Sequence, residues 1–191
     1  MTTSRDLREA AVQGLLAQNS VTLAQYATAA GANVFSPRTW ATWNNTYPML
    51  LVQTPDEDGD GWGPNGAPAF TVTTKLRITA RAQAAAQTND QAAVMVEEQL
   101  EDLREQIKAA IVNYPPLMSL LQQYPYFRST INVPGEGSAP IGELVIDFGL
   151  EFVQGPSDFY QPALIPLQGV DVTVQEPNGT TEPGLTINLP Q

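Results

Sequence analysis

The sequence predicts an α+β protein: a small, mostly antiparallel sheet with an N-terminal helix and a long helix packed on one face, plus an extended C-terminal arm. Three patterns carry the prediction. Over 70–81, Phe70, Val72, Leu76, Ile78 and Ala80 alternate with Thr71, Thr73, Lys75, Arg77, Thr79 and Arg81, the period of a strand with one wet side. Over 141–152, Leu144, Ile146, Phe148, Leu150 and Phe152 alternate with Glu143, Val145, Asp147, Gly149 and Glu151 in the same way. Between these two segments, Val96, Leu100, Leu103, Ile107 and Ile111 form one stripe at helical spacing, so a helix lies against one face of the strands.

The remaining elements follow from local signals. Thr3 and Asp6 have the spacing of a capping box, and Leu7, Ala11, Gly14 and Leu15 continue as a helix over about 4–18. Residues 19–32 are ambiguous between helix and coil, and a short strand is expected at Asn33–Ser36. Pro48 and Pro55 bracket the apolar run Met49–Thr54, too short for a helix and therefore a strand. Asp56–Gly66 is acidic and rich in glycine, which predicts a loop. Thr88 and Gln91 repeat the capping spacing and open the long helix, 89–113, which Pro115 and Pro116 end. Leu117, Leu120 and Leu121 suggest a further helical turn. Phe127–Val133 and Ile141–Phe152 flank a Pro-Gly-Glu-Gly turn at 134–137 and predict an antiparallel pair. Beyond Val153 prolines break the pattern. Val170, Val172 and Val174 alternate, as do Leu185, Ile187 and Leu189, with Asn178-Gly179 between them. They fit a two-stranded hairpin or an extended arm, and the preferred expectation is an arm that buries its apolar side on a neighbouring subunit.

Composition narrows the function. With no cysteine and no histidine among 191 residues, thiolate chemistry, disulfides and the commonest general base and metal ligand are missing. No Gly-rich phosphate loop, nucleophile elbow or zinc spacing occurs, so no catalytic residues and no cofactor are expected. No apolar run approaches the ~18 residues that span a bilayer, and MTTSRDLREA has no hydrophobic signal region, so folding in a cytoplasm away from membranes is expected. The net charge is −11, and every Lys and Arg lies at or before Arg128 while eight acids follow it. Such a surface repels nucleic-acid backbones, which are held by Lys and Arg.

Four constellations bear on function. Asp56, Asp58 and Asp60, with Gly61 at the sixth position, match the first half of a calcium loop, but Ala67 stands where the bidentate Glu belongs. A solvated loop is the competing reading, and a calcium-binding interaction module the function that would follow otherwise. Glu97, Glu98, Glu101, Asp102 and Glu105 crowd the long helix. A di-metal site there lacks its histidines, which leaves a solvated face with supporting ion pairs. Lys75, Arg77 and Arg81 line the polar side of the long strand, and Trp40 and Trp43 cluster with Tyr47. These five, Lys75, Arg77, Arg81, Trp40 and Trp43, are the candidate subunit-interface residues, since opposite charge fixes register and aromatics anchor interfaces.

The order of elements resembles the tail terminator family of long-tailed bacteriophages. The resemblance rests on the opening helix with Leu7-Arg8-Glu9-Ala10-Ala11-Val12, the short strand ending at Val34-Phe35, and the Pro-led strand Pro48-Met49-Leu50-Leu51-Val52 before an acidic loop. The long strand Phe70–Arg81, the long helix and the strand Ile141–Phe152 complete it. It covers 4–153 and divides the chain into a domain at 1–153 and a Pro-rich extension at 154–191. It implies a virion protein at the neck-proximal end of the tail. Such a protein is a homo-oligomeric ring, usually a hexamer, that caps the tail tube, stops its polymerisation and docks head-completion or neck proteins. DNA would pass through its channel without specific binding. Another head-tail connector or neck subunit is the alternative within the same virion.

Overall fold

The computed structural model describes residues 1–18, 26–36, 46–85, 91–133, 140–160, 169–175, 177, 179 and 181–188. The chain forms two compact units, Met1–Asp158 and Phe159–Gln191. In chain order the first unit holds α1 (Ser4–Leu16), β1 (Val34–Phe35), β2 (Met49–Gln53), β3 (Glu57–Trp62) and β4 (Ala69–Gln83). It continues with α2 (Gln91–Ile111), α3 (Pro115–Met118), β5 (Phe127–Asn132), β6 (Ile141–Gln154) and a short 3-10 turn at Pro156–Asp158. The second unit holds β7 (Gly169–Gln175) and β8 (Thr181–Asn188).

The first unit is the expected α+β arrangement, with sheet order β1-β2-β4-β6-β5. Its centre is the β4–β6 pair, antiparallel and unbroken from Phe70 opposite Gln154 to Gln83 opposite Ile141. The alternation read from sequence sets the layers. Leu76 and Ile78 of β4 and Leu144, Ile146 and Phe148 of β6 turn to one face, where Val96, Leu100, Leu103 and Ile107 of α2 meet them, all essentially inaccessible. Removing such a side chain from water contributes about 1.5–3 kcal/mol each. Leu7, Ala11 and Leu15 bring α1 into the same core. The two helices approach closely at Gly14, where an added Cβ would lie 2.9 Å from the Ala110 carbonyl oxygen. The predicted capping box forms: Asp6 N donates to Thr3 Oγ1 at 3.2 Å, and Thr3 N donates to Asp6 Oδ2 at 2.9 Å. The Thr3 hydroxyl also donates to Asp6 Oδ2 at 2.6 Å, and this bond, with the one from Thr3 N, holds the Asp6 carboxyl below its usual range. Thr88 and the turn expected at 134–137 lie outside the described residues.

Asp56–Gly66, expected as a loop, contains a strand. β2 covers β4 only from Arg77 to Arg81, which leaves the backbone groups of 69–74 without a partner along that edge. β3 supplies it, antiparallel from Glu57 opposite Thr74 to Trp62 opposite Ala69. At the junction Lys75 N donates to the Asp56 carbonyl at 3.0 Å. Every β3 side chain is exposed.

The expected boundary after Val153 moves to Asp158. Gln154 Nε2 donates to the Thr2 carbonyl at 3.2 Å, and the Asp158 carboxylate lies 3.2 Å from the amino terminus while accepting from Gly155 N at 2.9 Å. Those contacts lower the Asp158 pKa, the backbone hydrogen bond from Gly155 foremost.

In the second unit the two alternating segments form the hairpin. β7 and β8 pair antiparallel, with Val170 opposite Ile187 and Val172 opposite Leu185. Gly179, in the connecting turn, has φ +87°, the left-handed region that glycine adopts without strain. The register slips after Val172, and Gly184 sits there so close to the Val172 carbonyl that no Cβ fits.

Candidate interaction surface

The helix-free face of the sheet carries the basic stripe. Each of its cations is already engaged within the chain, because the β4–β6 register places Arg77 opposite Asp147 and Arg81 opposite Glu143. Arg77 Nε and Nη2 donate to Asp147 Oδ1 and Oδ2, both at 2.8 Å, a two-pronged pair. The hydrogen bond to Asp147 raises the Arg77 pKa further, against a smaller opposing effect of burial. Arg81 Nη2 lies 2.7 Å from Glu143 Oε2. Lys75 pairs with Asp56, and that hydrogen bond draws the Asp56 carboxyl down and the Lys75 ammonium up. Lys75, Arg77 and Arg81 therefore knit β3, β4 and β6 together. Sequence alone placed them on the polar side but not opposite their acids, because register is a property of the paired strands.

Trp40 and Trp43 lie outside the described residues. Asp58 and Asp60 are held in extended β3, with Asp56 just before it, so successive carboxylates in the run stand roughly 7 Å apart along the chain. The tight loop that would converge them on one cation is not the conformation they adopt. Among the described residues no group of three or more acids is arranged to hold a metal ion. On α2 the acids face solvent beside their cations: Arg104 lies 3.5 Å from Glu101, and Lys108 lies 2.6 Å from Glu105.

Among the grooves that the described residues of the first unit form, two are large. One, of about 460 Å³, runs between Gly14, Tyr26, Ala110, Tyr114 and their neighbours and has no charged side chain in its wall. The other, of about 310 Å³, has Asp102 as its one carboxylate. Neither brings together an acid and a base for proton transfer.

The β5 edge was not foreseen. No described strand pairs with its outer side. Phe127 on it is 42% exposed, with Lys108 Nζ 5.8 Å from its ring centre. Arg128 follows, its guanidinium carbon 5.4 Å from the Tyr126 ring centre. Tyr126 reaches over the sheet because Gly149 leaves space: a Cβ there would sit 2.6 Å from the Tyr126 ring. Arg128 stands opposite Asp147, but Arg77 occupies that carboxylate, and Arg128 makes no ion pair among the described residues. The signal available in sequence was its position as the last cation in the chain.

No protein-family model and no curated relative matches the chain.

Proposed function

We propose that the chain is a structural, non-catalytic virion subunit of a long-tailed phage. It would form a ring, hexameric by the resemblance, at the neck-proximal end of the tail, where it caps the tail tube, stops its growth and receives the head-completion or neck proteins. The observation that carries this reading is the order α1-β1-β2-β3-β4-α2-α3-β5-β6, with α1 and α2 on one face of the sheet. That order contains the elements on which the resemblance rests, with β3 in place of its acidic loop and with α3 and β5 in addition. The net charge of −11 supports a channel through which DNA slides without adhering.

The test is native mass spectrometry and electron microscopy of the full chain, alone and mixed with tail tubes. The expected result is a closed ring seated on tube ends, with tube elongation arrested. A monomer indifferent to tubes overturns the proposal. A ring that ignores tubes but binds head-completion proteins points to a neck or connector subunit instead.

A further inference from the structure

The β7–β8 hairpin presents an apolar side to solvent. Val170, Val172, Leu185 and Ile187 are all at least 39% exposed, Leu185 reaching 61%, and they form two adjacent cross-strand pairs. Two strands alone are marginal in water, so the stripe and the unpaired strand edges call for a further strand. The segment 159–191 contains acids and no Lys or Arg. Asp171, exposed, alternates between Val170 and Val172 and so projects to the opposite side of the hairpin.

The sheet of the first unit offers three terminal strands to receive such an addition. β1 has two residues, too few to align with the seven of β7. β3 is six residues long but carries Glu57, Asp58 and Asp60, and like charge repels an acidic hairpin. β5 is also six residues long and carries no acid. Its exposed cation, Arg128, has no carboxylate partner among the described residues. The two sides also match. Phe127 and Ile131 turn toward the helix layer with Phe148 and Leu144 opposite them, while Arg128 turns to the polar side with Asp147. A hairpin strand beside β5 would set its valines against Phe127 and Ile131, and Asp171 near Arg128.

We propose that the β7–β8 hairpin of one copy adds to the β5 edge of a second copy, its apolar stripe continuing the helix-side face and Asp171 pairing with Arg128. Head-to-tail repetition of one such contact gives a ring where the rotation per step closes and an open filament where it does not. The inference rests on the reading that copies of this chain assemble, and it names the contact through which they do so.

The absence of cysteine makes the test direct. Full-length Arg128→Cys and Asp171→Cys chains are mixed, oxidised and run without reductant. A covalent heterodimer is expected, and the chain carrying both substitutions should give a ladder of oligomers. Arg128→Glu should weaken self-association at least tenfold, and Asp171→Arg in the partner should restore it. Three results overturn the proposal: no cross-link in the mixture, a cross-link of Asp171→Cys to Asp58→Cys on β3 instead, or a double variant that closes only within one chain. Rings that form and cap tubes without the cross-link remove this contact and leave the proposed function standing. Cross-linked rings that ignore tubes do the reverse.

Discussion

The β4–β6 pair and the β7–β8 pair are written in the same sequence code and end in opposite surroundings. Both alternate apolar and polar residues, and both pair antiparallel. Leu76, Ile78, Leu144 and Ile146 are sealed, whereas Val170, Val172, Leu185 and Ile187 are exposed. The difference lies in what accompanies each pair. Between β4 and β6 the chain supplies α2, whose stripe of Val96, Leu100, Leu103 and Ile107 fits over the apolar face. Between β7 and β8 it supplies a turn. Alternation specifies a strand, and burial needs a second layer.

The largest expected effect follows directly. Phe148 is essentially inaccessible and packs against Phe127, ring centres 5.2 Å apart, and Tyr124, 6.3 Å apart. Phe148→Ala should lower the unfolding free energy of the first unit by about 3–5 kcal/mol, through lost transfer energy and a cavity. Leu185→Ala in the hairpin should change it by less than about 0.5 kcal/mol at concentrations where the chain is monomeric. Urea unfolding followed by tryptophan fluorescence measures both. Equal losses would mean that the two pairs are equally buried and would erase the contrast.

The next effect is about a third of that size. Tyr124 is partly buried, and its hydroxyl donates to the Ile111 carbonyl at the end of α2 at 3.1 Å. Tyr124→Phe should cost about 1 kcal/mol. Burial raises the Tyr124 pKa. The folded state therefore favours the neutral phenol, and this stabilisation is present below the ordinary tyrosine value of about 10 and lost as pH rises through the folded value. The alkaline limb of the stability profile should be shallower in Tyr124→Phe. An unchanged limb would place the alkaline titration elsewhere.

How much could be read in advance follows the same division. The capping box at Thr3 and Asp6, the α2 stripe and the two long strands are local patterns, each written in contiguous residues, and the structure has them within a few residues of the expected bounds. β3 was illegible because Asp and Gly are poor strand formers. Its conformation is imposed by the unpaired edge of β4, a partner distant from any local signal. The same holds for the basic stripe. Sequence placed Lys75, Arg77 and Arg81 on the polar side, but only the register put Arg77 opposite Asp147 and left Arg128 unspent. The contact proposed at the β5 edge therefore rests on nonlocal grounds that periodicity does not carry.

The polar side of the β4–β6 pair is where the two regions should behave most alike, since both face water there. The Arg77 side chain is 39% exposed and that of Asp147 17%, so solvent screens much of the attraction even in two-pronged geometry. A double-mutant cycle of Arg77→Gln and Asp147→Asn should give a coupling of about 0.5–1 kcal/mol that shrinks toward zero in about 1 M salt. A coupling of several kcal/mol, insensitive to salt, would show that this side is covered in the folded chain and would break the comparison. The acid limb supplies the smallest and most distributed check. Asp6, Asp56 and Asp158 are all held below their usual range by hydrogen bonds, from Thr3, Lys75 and Gly155 respectively. A carboxyl depressed in the folded state contributes stability above its unfolded value of about 3.9, and that contribution is lost as pH falls through the folded value. Stability should thus be level from about pH 7 to 5 and decline below about pH 4, with a shallower decline in Asp6→Asn. These acids lie outside β7–β8, so Leu185→Ala should leave the acid limb unchanged; a limb that moves with the hairpin variant would tie the second unit's exposed face to the first unit's stability.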